Sequence, residues 1–281
     1  MPTPADLRKQ FIKAFERLAH HRERHDVLAD FLEMAVCALR KTTLPPGPAA
    51  EAIEAQYMDV VKRNTPEDVR AMPELFGITA RAVQEGGSDF LGQVVGELEL
   101  INGHMGQFFT PYDVSRMMAE MTLQDAGDLI REKGFVTLME PASGAGGMII
   151  AAADVIAKQG FDVACQLYVD ATDLSPMCFK MTYLQLALRG IPATVRRGNS
   201  LSLEVFDHAV TPAFLPFYLT HREAFDAWRR GTPATVSDRA TEQDEHAATS
   251  RLPHSPTRPI SPPATYRGQL SLFDDLPAPR R

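Results

Sequence analysis

The stretch Glu140-Pro141-Ala142-Ser143-Gly144-Ala145-Gly146-Gly147 decides how this chain is read. It follows a short apolar run, Phe135, Val136, Leu138 and Met139, that reads as a strand. It precedes an Ala-rich run, Met148 to Ala157, that reads as a helix. A strand that stops at an acid, turns through glycines and enters a helix marks a site for a nucleotide-like ligand. Glycines let a ligand approach the backbone, and a helix start offers free N–H groups. The plainer alternative is a tight strand–helix turn with no ligand. The dinucleotide pattern G-x-G-x-x-G is excluded because Ile149 stands where its third glycine belongs. A phosphate loop is excluded because no Gly-Lys-Ser/Thr follows. A carboxylate at the strand end suits a ligand with a cationic ammonium group, and S-adenosylmethionine carries one.

Working outward, residues 106–207 alternate helix and strand. Thr110-Pro111 opens a helix, with Thr as cap and Pro in the first turn, and Val114, Met117, Met118 and Met121 fall on one face. The first strand spans about 135–140. A second, about 166–172, ends at Asp173, and Ser175-Pro176 starts the next helix. Thr194 to Arg197 is a third strand, and Val205 to Val210 a weak fourth. Such alternation implies an α/β fold with a parallel sheet, whose ligands bind at the C-terminal strand ends. Glu140, Asp173 and Asn199 then share one edge. Arg189, Arg196 and Arg197 read either as a basic face beside that edge or as a solvated surface.

Residues 1–105 read as a helical N-terminal region. Residues 4–40 carry Leu7, Phe11, Phe15 and Leu18, then Leu28, Phe31, Leu32 and Ala35, at helical spacing. The basic cluster between these sets, His20 to His25, reads as a solvated face. Residues 106–230 form the ligand-binding domain. Residues 231–281 hold eight prolines and little periodic apolar content, and are expected to be a disordered tail.

The composition, 44% hydrophobic and 23% charged with net charge −7, fits an ordinary globular protein and argues against DNA binding by bulk charge. No apolar run reaches membrane-spanning length and the N-terminus lacks a signal-peptide core, so the expectation is cytoplasmic, with no membrane. Cys37, Cys165 and Cys178 are scattered, so no metal site is expected.

Together these segments resemble the adenine-N6 DNA methyltransferases, in particular the modification subunit of type I restriction-modification systems. Gly106-Gln107-Phe108-Phe109-Thr110-Pro111 is similar to the family's GQFFTP segment. Glu140 to Met148 is similar to its glycine loop, and Arg197-Gly198-Asn199-Ser200-Leu201 to its G-D-S-L. The resemblance covers about residues 85–205. It implies a Rossmann-like S-adenosylmethionine-dependent methyltransferase fold with a truncated sheet, acting on adenine in DNA. Phe108, Thr110 and Pro111 are implied to contact the methionine part, and Glu140 to sit near its ammonium group. Ala142, Gly144 and Gly146 are implied to line the cofactor, and Asp173 to accept from the ribose hydroxyls. Asn199 stands where the family usually has Asp.

One departure matters. The family's Asn/Asp-Pro-Pro-Tyr/Phe motif occurs nowhere in this chain. Its nearest text is Phe206-Asp207-His208-Ala209-Val210-Thr211-Pro212-Ala213-Phe214, where Phe214 is a candidate to stack on the target base and Asp207 or Thr211 to replace an acceptor. Asn199 and Phe214 are thus the catalytic candidates. Three functions compete: a methyltransferase completed by a partner subunit, an inactive cofactor- or DNA-binding regulator, and a sliding-clamp-associated accessory protein. The last rests on Gln269-Leu270-Ser271-Leu272-Phe273, which resembles the pentapeptide that binds the DNA polymerase sliding clamp, with Gln269, Leu270, Leu272 and Phe273 as the contact residues.

Overall fold

The computed structural model describes residues 2–86, 88–100, 109–231 and 269–271. Five helices come first: α1 (Pro4–Leu18), α2 (Arg24–Lys41), α3 (Pro48–Arg63), α4 (Pro66–Gly86) and α5 (Phe90–Glu97). Thr3 caps α1 in a reciprocal box with Asp6. The apolar spacing is realised: Leu7, Phe11, Phe15, Leu28, Phe31 and Leu32 are all buried. The single helix expected over 4–40 is in fact two, broken at the basic cluster. There Arg22 folds back onto Asp30, which is also held by Arg63 and Asn64. Burial works to raise the pKa of Asp30, but these hydrogen bonds outweigh it and hold the carboxyl below its ordinary value. The cluster therefore helps to lock α2 to α3.

The α/β part follows as α6 (Tyr112–Thr122), α7 (Ala126–Lys133), β1 (Val136–Glu140), α8 (Gly147–Lys158), α9 (Val163–Gln166), β2 (Leu167–Asp173), α10 (Pro176–Leu188), β3 (Ala193–Asn199), β4 (Glu204–Val210) and α11 (Phe214–Gly231). β1, β2 and β3 pair in parallel with helical crossovers, and the sheet order is β4-β3-β2-β1-β5, where β5 is Gln269–Ser271. This is the parallel α/β arrangement that the alternation implied, and it is Rossmann-like, as the family resemblance implied. The helical region is not separate from it: α2 packs on α10, and both parts contribute to one hydrophobic core.

Three sequence expectations are corrected. The fourth strand does not continue the parallel sheet. β4 turns straight back and pairs antiparallel with β3, with an irregularity at Arg197/Gly198. Gly198 permits this, because a Cβ there would lie 2.4 Å from the Glu204 carbonyl oxygen. Second, the face of α6 carrying Val114, Met117 and Met121 points to solvent. The helix instead packs on α8 with Ser115 and Ala119 buried, since small residues allow close approach to an Ala-rich partner. Third, inside the stretch expected to be a disordered tail, Gln269–Ser271 forms a strand, β5, parallel to β1.

Candidate functional site

β1, β2 and β3 end at Glu140, Asp173 and Asn199, so one edge of the sheet carries all three, as the sequence implied. The glycine loop bridges them. Asp173 accepts from the Gly144 N–H at 2.8 Å with one oxygen and from the Ser175 N–H at 2.8 Å with the other. Ser143 N–H donates to the Thr172 carbonyl at 3.0 Å. Gly144 (φ +57°) and Gly146 (φ +97°) adopt left-handed conformations that side chains disfavour. Gly146 caps α8, whose N-terminus therefore opens onto the cleft.

Glu140 is 2% exposed. Its Oε1 accepts from the Ala142 N–H at 3.1 Å, while its Oε2 is buried with no hydrogen-bond partner. Burial raises its pKa; the Ala142 N–H opposes the shift, and nearby Asp173 adds to it. Burial likewise raises Asp173, against the N–H groups of Ser175 and Gly144. A buried carboxylate oxygen without a donor is costly, and a cationic or hydrogen-bonding ligand removes that cost.

Beside the loop lies a cavity of about 80 Å³ lined by Asp89, Phe109, Thr110, Ser143, Gly144 and Met148, among others. Of the residues implied to line the cofactor, Thr110 and Ala142 fall on its wall, whereas Pro111 occupies the N-cap position of α6 and Phe108 lies outside the described residues. Phe109 is the described aromatic that covers the loop: a Cβ on Gly144 would lie 3.2 Å from its ring.

Asp89 was missed. It comes from the helical region, caps α5 through the Gly92 N–H at 2.9 Å and accepts from Gln185 Nε2 at 2.7 Å. Its other oxygen reaches the helix start, 2.8 Å from where a Gly147 Cβ would be. Burial raises its pKa, against Gln185 and Gly92. Gln185 and Thr182, one turn apart on α10, brace the loop by donating to the Ala145 and Gly144 carbonyls at 2.7 and 3.0 Å. The available signals were the acid before Phe90 at a cap position and two polar residues inside an apolar helix. Leu174 and Leu201, 61% and 97% exposed, follow the ends of β2 and β3.

The acceptor candidates are not brought together. Asn199 Oδ1 accepts from the N–H groups of Leu201 (3.0 Å) and Ser202 (3.3 Å), capping the β3–β4 turn. Because β4 runs backward, Thr211 and Phe214 are carried to the opposite edge. Thr211 donates to the Ile191 carbonyl and accepts from the Ala193 N–H, at the start of β3. Phe214 packs against Tyr168, Tyr218 and Phe225. Asp207 pairs with Arg40 at 3.1 Å. The basic face is not a free one either: Arg189 pairs with Asp154 and Arg196 with Asp170, while Arg197 lies over the Phe206 ring. Among the described residues no group of three or more His, Cys, Asp or Glu is placed to hold a metal, and no helix is long and apolar enough to cross a membrane.

Residues 98–226 match the family described as N-6 DNA methylase. A curated relative, the type I restriction enzyme MjaIX methylase subunit of Methanocaldococcus jannaschii, is 23% identical over 167 residues, covering 54% of this chain and 28% of its own length. The chain thus matches a little over a quarter of that relative. Among solved structures, a modification subunit of a putative type I restriction enzyme from Vibrio vulnificus YJ016 is 13% identical, with 72% of this chain and 57% of that one covered and a TM-score of 0.39. The methyltransferase subunit of a type I restriction-modification system from Streptococcus thermophilus is 13% identical, with 68% and 57% covered and a TM-score of 0.35. Residues 98–226, a little under half of this chain, are thus similar to the N-6 DNA methylase family.

Proposed function

We propose that the chain binds S-adenosylmethionine at the β1–β2–β3 edge and forms the cofactor half of an adenine-N6 DNA methyltransferase, working on DNA with a partner subunit of restriction-modification type. The observation that carries this is the buried, unpartnered Glu140 Oε2 at the end of β1, beside two left-handed glycines.

The residues present fit that cofactor. Asp89 presents a carboxylate on the cavity wall, and Glu140 Oε2 at the end of β1 is an acceptor without a donor, so either suits an ammonium group. Gly144, on the cavity wall beneath the Phe109 ring, keeps its backbone bare of a Cβ, and Asp173, which accepts from the Gly144 and Ser175 N–H groups, offers its carboxylate to ribose hydroxyls. Leu174 and Leu201 offer apolar surfaces to a base. The cavity is smaller than the roughly 300 Å³ of sites that enclose a whole drug-sized ligand. It suits the amino-acid end, with the nucleoside lying along the open rim. When bound, the cofactor supplies an electrophilic methyl group. The protein's own contribution here is positioning: Asp173 holds the loop, and Gln185 and Thr182 hold it from below.

An adenine amino group also needs acceptors that hold its hydrogens. Asn199 is engaged in its own turn and Phe214 lies at the far edge. We assign that task to a partner subunit.

Calorimetry with S-adenosylmethionine tests the reading. Replacing the carboxylate in Glu140→Gln or Asp173→Asn is expected to weaken binding by roughly 10- to 100-fold, from the loss of a charged hydrogen bond. Unchanged affinity in both variants, with melting temperatures confirming folding, overturns it. Methyl transfer from labelled cofactor to DNA is expected only with the partner present.

A further inference from the structure

We propose that the outer edge of β1 is a strand-accepting groove whose occupant is this chain's own C-terminal segment, a removable fifth strand. The inference does not rest on the cofactor reading.

β1 is the last strand of the folded domain on its side of the sheet. Val136, Thr137, Leu138 and Glu140 are all buried, so β1 is covered on both faces while its outer backbone groups need partners. An apolar edge strand of this kind is a template for any extended segment. β5 fills it in parallel, with Thr137 opposite Gln269, Leu138 opposite Leu270 and Met139 opposite Ser271.

The sequence supports the same occupant independently. Gln269-Leu270-Ser271-Leu272 alternates polar and apolar residues inside a Pro-rich stretch, the pattern of a strand. Residues 232–268 tether it to α11. That length of chain is ample to reach across a small domain, and covalent linkage keeps the segment at high local concentration.

The direction of pairing gives the contact a consequence. β5 runs toward the edge that carries Glu140, and Ser271 lies opposite the residue just before it. Docking also commits three of the five residues of Gln269–Phe273 to the sheet. A partner that reads this pentapeptide must first lift it off β1. Three paired residues are few, so the strand exchanges between docked and free.

The test joins paired positions. Cys165 is exposed, while Cys37 and Cys178 are buried, so Cys165→Ser gives a quiet background. Met139→Cys with Ser271→Cys is then expected to form an intramolecular disulfide under mild oxidation at low micromolar protein, because paired strands bring the two positions about 5 Å apart. Adding Gln269→Pro and Leu270→Pro, which removes donors on either side of the tail strand, is expected to abolish it. In parallel, deletion of 269–281 is expected to speed hydrogen exchange within 136–140 at least tenfold, and a peptide of residues 266–275 to restore protection. A thermal melt of the deletion shows that the domain still folds. Cross-linking that persists in the proline variant, covalent dimers in place of the internal bond, or exchange in β1 that ignores the tail each overturn the proposal.

Discussion

The two edges of the parallel sheet differ in what they leave undone. At the carboxyl edge, three carboxylates (Asp89, Glu140 and Asp173) are buried around a glycine loop, one oxygen lacks a donor, and two leucines stand in water. At the amino edge, Phe135, Tyr168, Phe217 and Phe225 close on one another, with Phe214, Tyr218 and Trp228 packed around them. The first edge holds polar groups at an energetic disadvantage, as binding sites do. The second is filled with rings. Strand direction makes the difference: by running antiparallel, β4 carries the chain's aromatic-rich continuation away from the carboxyl edge and into the aromatic cluster.

The largest effect is expected from Phe217→Ala. It empties a site 1% exposed among edge-to-face rings and should cost about 3–5 kcal/mol of stability. Denaturant unfolding measures it, and cofactor affinity of the folded fraction should not change. Should Phe217→Ala instead abolish cofactor binding in folded protein, the two edges are not independent. Next comes Glu140→Gln, with its roughly 10- to 100-fold loss of cofactor affinity and no loss of stability in the absence of cofactor.

Gly144→Ala should be intermediate. A side chain at φ +57° costs about 1–2 kcal/mol, and its Cβ would press on the Phe109 ring. The melting temperature should fall and the affinity with it, whereas Gly160→Ala, equally left-handed but with nothing within 4 Å, should lower only stability. The smallest effect is in pH. Burial raises the pKa values of Glu140, Asp173 and Asp89, so their protonated forms suit the folded state better. The stability this contributes is present below the ordinary carboxylate values and is lost as pH rises through the raised ones. A melting series from pH 4 upward should show a decline that is shallower in Glu140→Gln. A parallel slope in the two proteins would mean that Glu140 is not charged in a dry site.

Legibility followed locality. Glu140, Gly144, Gly146 and Asp173 were readable because a strand end, a left-handed turn and a helix cap are each written within a few residues. Asp89 was not, since its place at the cleft depends on α5 meeting α10, almost a hundred residues away in the chain. The apolar face of α6 was legible as a stripe, but its orientation was not. Periodicity shows that a helix has two faces, and only the partner, here the Ala-rich α8, selects the one that is buried. Phe214 failed as a site residue for the same reason: its aromatic character was visible, and its edge of the sheet was not.

The amino-acid sequence by itself determined the parallel β1–β2–β3 edge, its glycine turn and the carboxylates that end two of its strands. Short-range sterics and apolar period suffice for these. Only tertiary structure decided the direction of β4, the entry of Asp89 into the cleft, the engagement of Asn199 in its own turn, and the pairing of Gln269–Ser271 with β1. Each of these is a competition between distant segments for the same backbone edge or buried volume, and the free energy that settles it is collective.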